Sequence, residues 1–264
     1  MIHLKPISIL LAFAILVWGC YTKKSENKEG SLIQHKNTFE QVNKRNPKAE
    51  KIKTQKKEFK GDGYTITYQV IVEGNEVIKN RVHDALLKSL APDSKYKNLE
   101  DFEKLLKAKK YSVKSDYCNN ASRDFSSTIY QVGKVVSINN SEYTFDCGAH
   151  GNGYTEVQHF HLETGRPISL NDIFKNQKGL KDEVEKQFCA DNKLEKNLDA
   201  YISAGYEGFA DGFILAKNYF FDDNGISFFY NAYEVGPYTL PPFAVKVKYD
   251  KIKPFLHENN LLEM

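Results

Sequence analysis

The run Tyr64-Thr65-Ile66-Thr67-Tyr68-Gln69-Val70 alternates apolar and polar residues without a break. Successive side chains of a strand point to opposite faces, so this pattern demands a strand with one buried face. Gly61-Asp62-Gly63 precedes it and supplies the positive φ angles of a tight turn. Residues 51–59 therefore form the other arm of a hairpin. A chain that begins this way commits to a sheet, and it must then provide an apolar layer to cover one face of that sheet.

Glu76 to Leu90 provides it. Ile78, Val82, Ala85, Leu86 and Leu90 fall on one helical face, and Ala91-Pro92-Asp93 stops the helix. Asn98 reads as the cap of a second helix, residues 99–108. From Tyr111 the period returns to two. Strands are expected at 111–117, 125–138 and 142–147, with Asn139-Asn140-Ser141 turning between the last two. Parity in 142–147 sends Tyr143, Phe145 and Cys147 toward the core. Gly148, Gly151 and Gly153 loosen the next loop, and a strand then carries Val157, His159 and His161 on one face. Ser169 and Asp172 form a capping-box pattern. A helix over 179–189 and a partly helical 193–209 follow. Strands at 213–221 and 226–230 flank Asp223-Asn224-Gly225, the strongest hairpin signal in the chain. Both are apolar on both faces, which places them mid-sheet. A strand at 243–249 closes the pattern. The expected class is α+β: antiparallel sheets with a few helices in two adjoining subdomains, 48–130 and 131–258.

The N-terminus carries an address. Lys5 precedes an apolar run, Ile7 to Val17, that ends in Val17-Trp18-Gly19-Cys20. The run is too short for an ordinary membrane span. Charged start, apolar middle and small residue before the cut describe a signal peptide over 1–19. Gly19-Cys20 then resembles a lipobox, which makes Cys20 the expected lipidation site and the bilayer its partner. Residues 20–47 read as a basic tether. Residues 21–60 hold 12 Lys/Arg against 5 Asp/Glu, whereas 61–264 hold 24 against 29. A nucleic-acid binder carries its basic face on the folded domain, so this distribution argues against one. Export leaves Cys118, Cys147 and Cys189 besides Cys20. Cys118 with Cys147 is the favoured disulfide; three buried thiols are the alternative.

One cluster could carry chemistry. Cys147, His150, His159 and His161 have the spacing C-x2-H-x8-H-x-H. Two imidazoles on one strand face can hold zinc, which opens the reading of a metal-assisted envelope hydrolase using His150, His159 and His161. The spacing matches no established metal motif. Hydrogen-bonded structural histidines are the other reading, and no metal or cofactor is expected. Glu156 and Glu234 could be set as a glycosidase pair, but two carboxylates among 34 acidic residues carry no weight alone.

Gly148-Ala149-His150-Gly151-Asn152 followed by Leu162-Glu163-Thr164-Gly165-Arg166-Pro167-Ile168-Ser169-Leu170-Asn171-Asp172-Ile173-Phe174 resembles the core of an extracytoplasmic bacterial domain of unknown function. That domain occurs in RsiV-type anti-sigma factors, as an accessory region of peptidoglycan deacetylases, and in lipoproteins. Residues 219–226 and 231–238 resemble its closing strands and loop, and residues 68–82 its usual small partner domain. The resemblance implies an α+β fold, an envelope location, and a partner such as lysozyme or peptidoglycan. It carries no catalytic residues. The chain departs from it in lacking deacetylase and anti-sigma domains, and Pro241-Pro242 stands where a Gly is expected. The expected function is a non-catalytic, lipid-anchored binding module. Its candidate binding residues lie in two loops: His150, Asn152 and Tyr154, then Tyr233, Glu234 and Tyr238.

Overall fold

A computed structural model describes residues 51–92, 96–116 and 118–263. The expected signal peptide, the expected lipidation site Cys20 and the expected tether lie outside the described residues.

The first hairpin forms as the alternation requires. Strands β1 (Lys53–Gly61) and β2 (Tyr64–Glu73) pair antiparallel, and Gly63 takes φ 71° in the turn. Near its end the register shifts, so Ile71 is buried and Val72 turns outward. Helices α1 (Glu76–Leu90) and α2 (Leu99–Lys107) follow. Each begins at an asparagine whose side chain accepts a first-turn N–H: Asn75 from Val77, Asn98 from Asp101. Strands β3 (Ser122–Val132), β4 (Val135–Phe145) and β5 (Asn152–His161) complete a five-stranded sheet in the order β1-β2-β3-β4-β5. The sheet is not wholly antiparallel. Tyr64–Thr67 of β2 pairs parallel with Arg123–Ser126 of β3. The helical connection carries the chain back along the sheet, so β3 starts at the same end as β2. Ile66, Ile78, Val82, Leu86, Phe102 and Ile138 are among the side chains of the core between this sheet and its helices.

Several expectations fail here. Residues 111–116 form no strand; Tyr111 instead packs edge-on against Tyr64 and Phe102. Asn139-Asn140-Ser141 is not a turn but the middle of β4. The chain turns earlier, at Gly133-Lys134, between the paired residues Val132 and Val135. Gly133 has φ 54°, and a Cβ there would lie 2.5 Å from the Leu261 carbonyl oxygen, which accepts the Lys134 N–H. The position needs glycine for both reasons. A boundary at 130/131 would cut the β3–β4 hairpin, whose strands pair along their whole length. Cys147 does not enter the core: it is half-buried, has φ 61°, and forms a disulfide with Cys118. Cys189 is a buried free thiol.

The second core is aromatic. Helices α3 (Leu170–Ile173), α4 (Gln177–Asn192) and α5 (Leu198–Ser203) precede strands β6 (Asn218–Phe221), β7 (Gly225–Tyr230) and β8 (Phe243–Lys248), and α6 (Tyr249–Ile252) follows. Phe188 of α4 sits edge-on to Tyr201, Tyr206 and Phe209. Residues 213–217 are not strand. The three strands run antiparallel in the order β6-β7-β8, so β7 is central and β6 is an edge. The turn before β7 is an Asx-turn, with Asp222 Oδ1 accepting the N–H groups of Asn224 and Gly225.

That edge meets β5 without a strand ladder. Asn218 Oδ1 accepts the Val157 N–H at 2.9 Å, and its Nδ2 donates to the Thr155 carbonyl at 2.9 Å. Asn231 Oδ1 accepts the Thr155 N–H at 2.7 Å, and its Nδ2 donates to the same carbonyl. Two side-chain amides thus occupy the hydrogen-bonding positions a sixth strand would fill. Below them Tyr130, Val157 and Phe220 pack together.

Candidate functional site

The two candidate loops meet. The His150 ring stacks on Tyr238, with centroids 3.8 Å apart and planes at 14°. Tyr238 packs on Tyr233 at 5.6 Å. Tyr238 Oη also donates to the Gly151 carbonyl, which His150 Nδ1 approaches at 2.9 Å. Each loop is anchored independently. The first leaves β4 through the Cys118–Cys147 disulfide and runs close under Tyr143, where a Cβ on Gly151 would lie 2.0 Å from the phenol oxygen. The second is held by buried Val235 and by Gly236, whose missing Cβ lets it approach the Gly205 carbonyl. Tyr233 takes φ 66°, so the loop reverses sharply there.

The rings remain open to solvent: Tyr154 is 55% exposed, Tyr233 58% and Tyr238 42%. Tyr154 has its pKa raised by partial burial and by the charges of Glu156 and Glu234. Asn152 is exposed at the start of β5. Glu234 is exposed, and its carboxylate accepts both the backbone N–H and the side-chain amide of Asn231, which fixes the loop. Sequence parity missed Tyr143, which is 44% exposed beside the same loop. The inward position there belongs to Glu142, paired with Arg123.

The three histidines do not converge. His159 is buried, with Nδ1 2.7 Å from Ser137 Oγ and Nε2 2.9 Å from the Tyr219 carbonyl. A carbonyl only accepts, so Nε2 carries the proton and Ser137 donates to Nδ1. Both ring nitrogens are occupied. His161 Nδ1 accepts the Glu163 N–H, and His150 belongs to the ring stack. Among the described residues no three metal-ligating side chains gather. Glu156, the other half of the weighed carboxylate pair, accepts from Gln158.

Residues 171–250 match the sequence model of DUF3298, a protein family of unknown function. The DUF3298 match runs from α3 into α6. It contains Tyr233, Glu234 and Tyr238 but stops short of His150, Asn152 and Tyr154. The fold is similar to a DUF3298 family member from Bacteroides fragilis, with TM-score 0.63 and 18% identity over 81% of this chain and 96% of that one. It is also similar to a DUF3298 family protein from Pseudomonas aeruginosa PAO1, with TM-score 0.52 and 16% identity over the same shares. No curated protein matches the chain.

Proposed function

We propose that this chain is a lipoprotein of the bacterial envelope, anchored through Cys20, that binds an envelope component without catalysis. The observation that carries the reading is the exposed ring stack of His150, Tyr238 and Tyr233, flanked by Tyr143 and Tyr154. Aromatic rings held by two anchored loops offer contact area at low entropic cost, the property that makes Tyr a frequent interface anchor. The resemblance to domains of RsiV-type anti-sigma factors and of peptidoglycan deacetylases supports a lysozyme-like protein or peptidoglycan as the partner. Hydrolysis by the histidines fits less well, because His159 spends both nitrogens inside the fold. No helix among the described residues is long and apolar enough to cross a membrane.

Retention of the full-length chain on lysozyme beads and on isolated peptidoglycan tests the binding. Tyr238→Ala is expected to weaken retention on one of them by about thirtyfold, the scale of an interface hot spot. Retention on neither support sinks the reading. Cys20→Ala is expected to move the chain from the membrane fraction to the soluble one, as read by fractionation and incorporation of labelled palmitate.

A further inference from the structure

A second feature lies at the β5–β6 junction. An open cleft of ≈ 520 Å³ is bounded by residues of β5, the 167–171 segment, the first turn of α4 and the start of β6. Its size is that of a small-molecule site. The stacked pair His159 and Tyr219 belongs to its wall. Phe160, Pro167 and Leu170 add apolar surface, while Gln158, Asn171 and Gln177 contribute side-chain amides. Lys217 is the single formally charged side chain in the lining, and no carboxylate accompanies it.

The hydrogen-bond inventory gives the ligand its chemistry. Gln158 Nε2 is used by Glu156, and Gln177 Nε2 by Asn171 Oδ1. Their amide oxygens are left as acceptors, while Asn171 Nδ2 and Lys217 Nζ are left as donors. Tyr219 Oη is closed off from solvent, so the hydroxyl takes no part in the site.

We propose that this cleft binds a sugar acid. The sugar's C–H face would lie on the apolar wall, its hydroxyls would donate to the amide oxygens, and its one carboxylate would meet Lys217 and Asn171. This site is separate from the ring stack and does not depend on it.

Calorimetric titration of the full-length chain in detergent tests the proposal, with N-acetylmuramic acid, N-acetylglucosamine and lactate as probes. The acidic sugar is expected to bind at least about tenfold more tightly than the neutral sugar or the bare carboxylate, the scale of a charge-assisted contact. Lys217→Met should remove that advantage, Lys217→Arg should retain most of it, and Tyr238→Ala should leave it unchanged. Lys217 is exposed, so these variants keep the fold. Equal affinity for the two sugars, no binding of the acidic one, or an unaltered Lys217→Met titration would overturn the proposal.

Discussion

Between pH 6.5 and about pH 4 the folded chain is expected to lose about 3 kcal/mol of stability to one side chain, His159. Burial lowers its pKa to about 4, and the hydrogen bond to the Tyr219 carbonyl only partly opposes this. A second proton would have to sit on Nδ1, where Ser137 now donates, and no carboxylate is placed to balance the charge. In the unfolded chain the ring titrates near its ordinary value. Within the window the unfolded state therefore binds more protons than the folded state. The stabilisation is complete above pH 6.5 and is lost as pH falls toward 4.

Urea unfolding across this range measures the effect. His83 contributes in the same direction, because burial lowers its pKa and its Nε2 accepts the Ile71 N–H. The parent must therefore be compared with His159→Gln, which should show a lower plateau at pH 7 and a shallower decline. Parallel pH profiles for the two proteins would refute the assignment. Asp172 acts lower still. Burial pushes its carboxyl up, but the Ser169 N–H, the Ser169 hydroxyl and Arg166 outweigh it and hold the pKa near 2. Its contribution is lost between about pH 3.8 and 2, outside the His159 window.

Local chemistry made much of this legible. Alternation in 64–70, the caps Asn98 and Ser169, and the Asn224-Gly225 turn each act through neighbours in sequence. The failures come from distant partners. Asn140 and Ser141 look like turn residues until Asn140 finds Ser89 of α1 and Ser141 finds Thr155 of β5. Gly133 falls inside the strand expected over 125–138; the approach of Leu261 makes it a turn. Tyr143 and Cys147 were sent inward because apolar residues alternate there. The covered face of β4 at that end is instead polar, filled by Glu142 and Arg123. For the ring stack, sequence supplied the two loops but not their contact, since nothing local links His150 to Tyr238.

A large loss is expected at Asn218, about 2–4 kcal/mol for Asn218→Leu. Leucine keeps the branched skeleton of asparagine but is bulkier, so the loss combines the missing hydrogen bonds with some overpacking at this buried site. The outer edge of β5 faces β6 without pairing to it, and Asn218 answers two of its backbone groups, the Val157 N–H and the Thr155 carbonyl. Without the amide the Val157 N–H is buried and unpaired, a desolvation cost of about 1–3 kcal/mol. The Thr155 carbonyl keeps the Asn231 bond, so its loss is partial. Because the two amides converge on that carbonyl, Asn218→Leu and Asn231→Leu should be non-additive, with the double variant losing more than the sum of the two. Removing both also leaves an open strand edge, which invites pairing with another chain, so concentration-dependent association should accompany the double variant. Denaturation midpoints of the three proteins decide the matter. A loss within about 0.5 kcal/mol for Asn218→Leu would mean that the β5–β6 junction is held by packing of Tyr130, Val157 and Phe220 rather than by the amides.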